Sequence, residues 1–341
     1  MEKIAISVII PVYNAEKFLR ACLASVQVQS FPYFEVWLVN DGSTDGSACV
    51  CDEFAEKDSR FHVVHTSNKG VSAARNKGLE MAKGDWVNFV DSDDTVDKDY
   101  LLHLYQAIEG DENDKLIFQG FKMVVSDKDI IYRTFKKHRY GLDDMYLVFQ
   151  ELKMNRSGYP FAKLYSNRII KANQIRFIEE IHYAEDVMFM LTYMCHIAQV
   201  QTVEGANYNY YIRKNANTLS QRIFSFESEY TCYQTYLSRI RVIKERFALP
   251  EKSLASVYGV ITEYLVRRSI GGLYQKQTRK PKKERLRILK EFTEEQIRFL
   301  KAHANFCPWP HRVTIFLLVN HFYYLCDSYS LFIAFVRTIK K

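Results

Sequence analysis

The chain has 341 residues, of which 48% are hydrophobic and 26% charged, so a mostly disordered protein is excluded and about two domains are expected. The net charge of +7 is unevenly distributed, because residues 1–220 carry 25 basic and 30 acidic side chains whereas residues 221–341 carry 22 and 10. This asymmetry predicts two regions with different tasks, the second of which faces an anionic partner.

The cysteine content indicates the compartment. Seven cysteines, an odd number, include no C-x-x-C pair, which disfavours a disulfide framework or a zinc site and favours a reducing environment. The N-terminal apolar run Ile4–Val12 is short, is interrupted by Ser7 and Pro11, and lacks a small-residue cleavage site. We therefore expect a buried strand in a cytoplasmic protein rather than a signal peptide.

Strand and helix patterns alternate over the first hundred residues. Continuous apolar, β-branched runs predict strands, and apolar residues at helical spacing predict the helices between them. The predicted strands are Ile4–Ile10, Phe34–Val39, Phe61–His65 and Trp86–Val90. The predicted helices are Ala15–Gln29, 47–57 and Val71–Ala82. This order predicts an α/β fold with a mostly parallel sheet flanked by helices.

The pattern is less regular beyond residue 110 and becomes helical near the end. Strands are predicted at Lys115–Val125 and Ile130–Phe135, and helices at 143–153 and 184–198. From about residue 226 we predict only helices, over 226–247, 253–274, 283–303 and 312–336. A boundary near 215–225, where the charge balance changes sign, divides an α/β domain over 1–220 from a helical, basic region over 221–341.

Polar residues follow three of the predicted strands. They are Pro11-Val12-Tyr13-Asn14, Asn40-Asp41-Gly42-Ser43 and Asp91-Ser92-Asp93-Asp94. Each run alone is explained by turn or helix-cap chemistry. Ligands of parallel α/β sheets bind beyond the carboxyl ends of the strands, so three such runs at one rim indicate a site.

The closely spaced carboxylates of the third run repel one another unless a cation lies between them. A hard divalent ion with oxygen ligands, Mn²⁺ or Mg²⁺, shared with a phosphate-bearing substrate, would satisfy Asp91 and Asp93. The alternative is a solvated acidic turn that caps the following helix.

Four ordered motifs resemble a known family. They are Ser7–Asn14, Val39–Asp45, Asn68–Gly78 and Phe89–Asp94. Together they resemble the family 2 inverting glycosyltransferases with the GT-A fold, over roughly residues 4–215. The resemblance implies transfer of a sugar from a nucleotide diphosphate donor with inversion at the anomeric carbon. It also implies donor binding within about 1–110 and acceptor binding within about 111–220.

The resemblance implies a role for each matching donor-side residue. A carboxylate at Asp41 can accept a hydrogen bond from the N3–H of uracil, which favours a UDP-sugar, and the Arg75 guanidinium suits phosphate oxygens. Asp91 is expected near the ribose and Asp93 at the metal, with Asp91 as a further metal ligand. The implied donor-binding set is Pro11, Val12, Tyr13, Asn14, Asp41, Arg75, Asp91, Ser92 and Arg213.

The reaction needs a base for the acceptor hydroxyl, and Glu185-Asp186 resembles the family's E-D motif at a helix start. We expect Asp186 to be the base, with Glu185 as the second candidate, although two acids at a helix N-terminus are also explained by the helix dipole. Tyr208–Arg213 followed by Ser220 resembles the family's Y-x-Y-R…S tail. That match implies that Arg213 reaches the diphosphate; the alternative is a surface cation.

The basic C-terminal region, residues 221–341, predicts the kind of acceptor. Gln275–Lys290 is rich in Lys and Arg, and the final helix Val313–Val336 is aromatic but is interrupted by polar residues, so it is a poor membrane-spanning candidate. Peripheral contact with the inner face of the cell membrane would suit a saccharide or lipid-diphosphate-linked acceptor. The alternative is a solvated charge run over a plain helical bundle. Nucleic acid is not expected, because no recognised reading module is present.

The leading hypothesis is therefore a metal-dependent hexosyl- or N-acetylhexosaminyl-type transferase that builds a cell-surface polysaccharide. A nucleotidyltransferase is disfavoured because Pro11-Val12-Tyr13-Asn14 is not a Gly/Arg-rich triphosphate loop. A non-catalytic sugar- or lipid-binding scaffold is disfavoured because Asp93 and Asp186 are present.

Overall fold

The computed structural model describes residues 3–108, 114–126, 128–153, 158–213 and 224–339. The chain divides into two compact units. The first comprises Met1–Val148, Ser157–Glu179 and Phe189–Ala216, and the second Phe149–Arg156, Glu180–Met188 and Asn217–Lys341. Ser220 of the predicted tail lies outside the described residues.

Strands occur up to residue 211, and the elements beyond it are helical. The strands are β1 (Ile6–Val12), β2 (Phe34–Asp41), β3 (Phe61–Thr66), β4 (Trp86–Phe89), β5 (Thr95–Val96), β6 (Lys115–Ser126), β7 (Asp129–Arg133), β8 (His138–Tyr140), β9 (Lys163–Ser166) and β10 (Gln199–Tyr211). The helices are α1 (Glu16–Gln27), α2 (Ser47–Lys57), α3 (Val71–Met81), α4 (Tyr100–Gln106), α5 (Met145–Gln150), α6 (Asn167–Ala172), α7 (Glu185–Met194), α8 (Phe226–Arg246), α9 (Ala255–Tyr264), α10 (Lys282–Lys290), α11 (Glu294–His303), α12 (Trp309–Val319) and α13 (Tyr323–Ile339). A π-helical segment, Leu265–Ile270, continues α9.

The strands form one sheet in the order β3-β2-β1-β4-β9-β6-β10-β5, with β7 beside β6 and β8 beside β10. The first four strands are parallel, as their buried apolar sequences predict. Beyond them the sheet is mixed, because β9 pairs antiparallel with both β4 and β6. From β1 the chain adds β2 and β3 on one side, and it then places β4 on the other side of β1. This change of direction makes the gap between β1 and β4 a switch point, where ligands of such sheets bind.

The predicted α/β fold is confirmed, and each of the seven elements predicted in the first hundred residues is present with small shifts at its ends. Close packing of α3 on β1 depends on Gly78, since a Cβ at this position would lie 2.3 Å from Cγ2 of Ile9. The short strand β9 and the long strand β10 were not predicted. Polar residues and Gly205, whose φ is +95°, interrupt the apolar pattern of β10.

Two of the predicted helices are wrong, because the structure has two shorter helices in place of each one. The predicted helix 283–303 is interrupted between α10 and α11, where Thr293 caps α11 in a capping box with Gln296. The predicted helix 312–336 is interrupted between α12 and α13, where His321 adopts a φ of +60°. The first interruption falls at a residue with a strong preference for the helix N-cap, inside a longer apolar pattern.

The second unit contains a buried ion pair. Glu229 of α8 accepts hydrogen bonds from Arg268 Nε at 2.9 Å and from Arg268 Nη2 at 2.7 Å, and both side chains are nearly inaccessible to solvent. Tyr264 donates a further hydrogen bond to the same carboxylate at 2.5 Å. These bonds join α8 to the end of α9 and its π-helical continuation.

None of the seven cysteines, all of which lie among the described residues, forms a disulfide bond. Within the part of the chain that the structure describes, no helix is both long enough and apolar enough to cross a membrane.

Candidate active site

The loop that follows β1 is tied to the loop that follows β2. Asn14 has a φ of +47°, and its Oδ1 accepts a hydrogen bond from the Thr44 backbone N–H at 2.8 Å. The Asn14 N–H donates to Ser43 Oγ at 3.1 Å. Two of the polar runs that follow predicted strands therefore lie together at one edge of the sheet.

The residues before Asn14 differ in their accessibility. Pro11 and Val12 are buried within β1, in register with Val39 and Asn40 of β2. Tyr13 leaves 52% of its surface exposed. Of these three residues, Tyr13 is the one whose ring is open to a ligand, which suits stacking on a nucleobase.

Asp41 is buried and organises the loop that precedes α3. Its Oδ1 accepts the Lys69 N–H at 2.9 Å and its Oδ2 accepts the Gly70 N–H at 2.8 Å. Gly70 has a φ of +96°, a conformation that glycine adopts readily. The carboxylate thus has a structural task, and its lone pairs leave capacity for a further donor such as a base N–H.

Arg75 and Asp91 form an ion pair at the end of β4. Arg75 Nη2 lies 3.0 Å from Asp91 Oδ1, and the guanidinium is buried over the Phe177 ring, 5.3 Å from its centroid. A buried guanidinium held by an aromatic face and a carboxylate is fixed in direction. Ser92 follows, half-buried.

Asp93 pairs with Arg213, so the structure brings together two predicted residues that are 120 positions apart. Arg213 Nη1 donates to Asp93 Oδ2 at 2.6 Å, and Nη2 bonds the Asp93 carbonyl oxygen. The guanidinium carbon lies 3.9 Å from the centroid of the Phe18 ring. Phe18 lies within the predicted helix Ala15–Gln29, and its ring, which is 39% exposed, contacts this cation.

Asp94 is the most buried acid of this run and is held by β10. Its Oδ2 accepts the Tyr208 hydroxyl at 2.8 Å, and its Oδ1 accepts the Tyr211 N–H at 2.9 Å. The Tyr208 hydroxyl also accepts the Asp91 N–H at 3.1 Å. Tyr208 therefore fixes both the backbone of Asp91 and the side chain of Asp94. In the sequence, the feature that points to this tyrosine is the tail motif Tyr208–Arg213.

The acids at the end of β4 carry negative charge that is only partly compensated. Burial, and then the charge of Asp91, raise the pKa of Asp93 despite the neighbouring Arg213. Burial, and then Asp91 and Asp93, hold the pKa of Asp94 well above its usual range. Like charges at this spacing disfavour the ionised forms, so a cation at this site would stabilise them.

The carboxylates of Asp91 and Asp93 fit a divalent ion that also binds a substrate. Among the described residues no group of three or more candidate metal ligands is found. Each arginine contacts one carboxylate oxygen of its acid, Asp91 Oδ1 for Arg75 and Asp93 Oδ2 for Arg213. Mg²⁺ and Mn²⁺ sites in phosphate-transferring proteins commonly use one or two carboxylates, and the substrate phosphates complete the shell. Asp91 and Asp93 meet that requirement.

Glu185 and Asp186 begin α7, and this first turn belongs to the second unit. Ala184, directly before them, has a φ of +59°. Cys232 Sγ donates to the Tyr183 carbonyl oxygen at 3.5 Å, and the guanidinium carbon of Arg268 lies 3.5 Å from the centroid of the Tyr183 ring. The helix start that carries the two acids is thus anchored on α8 and on the π-helical segment.

The sequence matches known proteins over the region that contains Asp41, Arg75, Asp91 and Asp93. The model of glycosyl transferase family 2 matches residues 7–169. EpsH of Bacillus subtilis, a protein named as a glycosyltransferase, is 33% identical over 244 residues, 69% of this chain and 69% of its own length.

The chain belongs to glycosyltransferase family 2. The glycosyltransferase GlyA of Streptococcus pneumoniae is 30% identical over 85% of this chain, which spans only 42% of that longer protein.

The fold matches a solved member of this class. The crystal structure of residues 1–349 of Staphylococcus aureus TarS, determined with UDP-GlcNAc, superposes with a TM-score of 0.67 at 23% identity. The match covers 95% of this chain and 91% of the other. At this identity the likeness establishes the GT-A type of fold, including helices that follow the α/β part.

Proposed function

We propose that this family 2 glycosyltransferase transfers a sugar from a UDP-sugar, with inversion, to a hydroxyl of a saccharide or lipid-linked saccharide. The observation that carries the proposal is the grouping of Asp91, Asp93, Arg75 and Arg213 at the end of β4, beside the switch point of the sheet. Paired acids and arginines at this position suit a metal-bound diphosphate. The UDP-GlcNAc complex of TarS supports a uridine donor and a hexosyl or N-acetylhexosaminyl group.

The donor is held from three directions in this proposal. The exposed Tyr13 ring stacks on the base, and Asp41 accepts its N3–H. Asp91 and Asp93 would hold Mn²⁺ or Mg²⁺, which would stabilise the charge that develops on the leaving diphosphate. Arg75 adds a fixed positive charge next to the same oxygens.

Asp186 acts as the base. Its carboxylate takes the proton of the acceptor hydroxyl as that oxygen attacks the anomeric carbon, and the electron pair of the breaking bond leaves with the diphosphate. A single displacement of this kind inverts the anomeric centre. Glu185 is the second candidate for the same task. The position of Asp186 at the first turn of α7, after the left-handed Ala184, supports a fixed direction for this side chain.

A panel of UDP-, GDP- and dTDP-sugars tests the donor. We expect a UDP-sugar to raise the melting temperature and to be hydrolysed or transferred with Mn²⁺, and a chelator to abolish turnover. Asp93→Ala and Asp186→Ala should each lower turnover strongly, and Asp93→Ala should also weaken the thermal shift because it removes a metal ligand. If no nucleotide sugar binds and Asp93→Ala changes nothing, the proposal is wrong.

The acceptor and its location form the less direct part of the proposal. The names of several relatives concern wall or surface polymers, among them a poly(ribitol-phosphate) β-glucosyltransferase, which supports a role in cell-surface polysaccharide synthesis. A cytoplasmic enzyme with such an acceptor would work at the inner face of the membrane.

The final helices offer a surface for that contact. Phe316 of α12 and Leu325, Phe332 and Phe335 of α13 are exposed. Lys290 Nζ of α10 lies 5.7 Å from the centroid of the exposed Tyr324 ring of α13, and the buried Arg285–Asp327 pair joins these two helices. Exposed aromatics beside cations suit the interface of an anionic membrane. Sedimentation with phosphatidylglycerol vesicles, but not with phosphatidylcholine vesicles, is the expected result; equal sedimentation with both, or none, would contradict it.

A further inference from the structure

The second unit contains a groove that the proposed chemistry does not use. A cleft of about 480 Å³ lies along α8 and is lined by Tyr230, Tyr233 and Phe299. A neighbouring cavity of about 360 Å³ shares lining residues with it, namely Leu237, Arg241, Glu245 and Phe299. The two volumes therefore form one elongated depression, which we call the α8 groove.

The wall of the α8 groove contains a buried hydroxyl without a partner. Tyr233 is 1% exposed, and its hydroxyl has no hydrogen-bond partner in the described parts of the chain. Buried polar atoms in folded proteins nearly always have a partner, so an orphan of this kind in the wall of a cavity indicates a missing ligand or solvent. The neighbouring Tyr230 ring lies 5.7 Å away, centroid to centroid.

The charged groups that line the groove are two cations and three carboxylates, Glu245 among them. Arg241 is paired with Glu295, and Lys244 with Glu251. Gln296 donates to the Tyr230 hydroxyl, and the exposed Gln234 contributes a second amide. Because the cations are already paired, the groove has no excess positive charge that would attract a phosphate or another anion.

This combination favours a neutral, polyhydroxylated ligand. Aromatic side chains offer flat apolar surfaces to the C–H faces of sugar rings, while amide, carboxylate and hydroxyl groups pair with sugar hydroxyls. The volumes lie in the range of small-molecule sites, and the elongated shape suits a chain of sugars better than a single one.

We propose that the α8 groove binds a neutral oligosaccharide segment of the acceptor. This inference rests on the proposed function, because it assigns the groove to the substrate of a sugar transferase. It adds a saccharide site within the helical unit and names Tyr233 and Gln234 as the residues that recognise hydroxyl groups.

Calorimetric titration of the full chain with cellotetraose, laminaritetraose and N-acetylchitotetraose tests the groove directly. We expect at least one of these tetrasaccharides to bind. Tyr233→Phe, which removes only the hydroxyl, and Gln234→Ala, which changes an exposed side chain, should each weaken binding by about threefold to tenfold. Tyr324→Phe, an exposed tyrosine of α13 outside the groove, serves as the matched control and should bind as the wild type does.

Failure of this inference differs from failure of the proposed function. If wild-type protein hydrolyses a UDP-sugar but binds none of the three tetrasaccharides up to 10 mM, roughly the limit for specific affinities of this class, the groove proposal is wrong and the transferase proposal stands. Equal affinities of wild type, Tyr233→Phe and Gln234→Ala would also overturn it. If a tetrasaccharide binds in the groove but no nucleotide sugar is bound or hydrolysed, the transferase proposal fails instead.

Discussion

Removal of the Tyr208 hydroxyl tests how much the acids at the end of β4 depend on Tyr208, both for the stability of the fold and for donor hydrolysis. Tyr208→Phe deletes the hydrogen bond to Asp94 Oδ2 and the one from the Asp91 N–H, with lengths of 2.8 and 3.1 Å. The ring should keep its place, because it stacks on Phe161 at 4.1 Å with an interplanar angle of 3°. The perturbation is therefore limited to two hydrogen bonds, one buried and one partly buried.

The expected loss follows from the groups that are left without partners. A buried hydrogen bond contributes about 1 kcal/mol net, and an unsatisfied buried donor or acceptor costs about 1–3 kcal/mol. We therefore expect Tyr208→Phe to lower the free energy of unfolding by about 2–4 kcal/mol. Since the Asp91 backbone is no longer held, donor hydrolysis should fall as well, with a higher KM for the metal.

Urea unfolding of wild type and variant measures the first effect, and hydrolysis assays across a Mn²⁺ series measure the second. Tyr233→Phe is the matched control for stability, because it removes a buried hydroxyl that has no partner in the described parts of the chain and should therefore not lower the unfolding free energy. If Tyr208→Phe is as stable as this control and needs no more Mn²⁺ than wild type, the assigned role of Tyr208 is wrong.

Three further changes have expected outcomes. Arg268→Met leaves Glu229 buried without its partner and should lower the free energy of unfolding in urea by about 3–5 kcal/mol. The double replacement Glu229→Leu with Arg268→Met removes both charges and should lower it much less. Equal losses in the two variants would contradict this expectation. Asp41→Asn places an amide against the Lys69 and Gly70 N–H groups, so thermal-shift titration should give weaker UDP binding, while Asp52→Asn at an exposed acid should not. Gly42→Ala introduces a Cβ 2.7 Å from the Asn68 backbone nitrogen at a φ of +68° and should destabilise by about 1–3 kcal/mol; an unchanged melting temperature would show that the loop adapts.

The sequence predicted the parallel half of the fold because that half is encoded locally. Continuous apolar strands and amphipathic helices give clear periods, and β1 to β4 with α1 to α3 appear where those periods indicate. The antiparallel strands β9 and β10 are harder to predict. β9 has four residues, and β10 owes its place to pairing with β6 across more than eighty positions, which no local pattern reports.

The sequence motifs propose the residues of the candidate site one by one, but they do not predict the contacts between them. Motifs named Asp91, Asp93, Arg75 and Arg213 separately, whereas their pairing across the chain depends on how β4, α3 and β10 come together. The roles of Phe18 and Tyr208 needed the structure for the same reason. An aromatic residue at helical spacing is usually assigned to the core, and nothing in the pattern shows that the Phe18 ring faces Arg213.

Under the proposed function, the two arginine–acid pairs would make the site bind a metal-bound diphosphate better than the metal or the diphosphate alone. In the structure each arginine satisfies one acid, so the positive charge that would bind a diphosphate is already engaged. A metal ion at Asp91 and Asp93 would take over the compensation of the acids and leave both guanidinium groups to the phosphate oxygens. Metal and diphosphate should then bind with mutual reinforcement, because each supplies the charge that the other removes from the existing pairs. The buried Arg75, fixed on Phe177, is the more constrained of the two, whereas Arg213 rests on the exposed Phe18 ring and has more freedom to change partners.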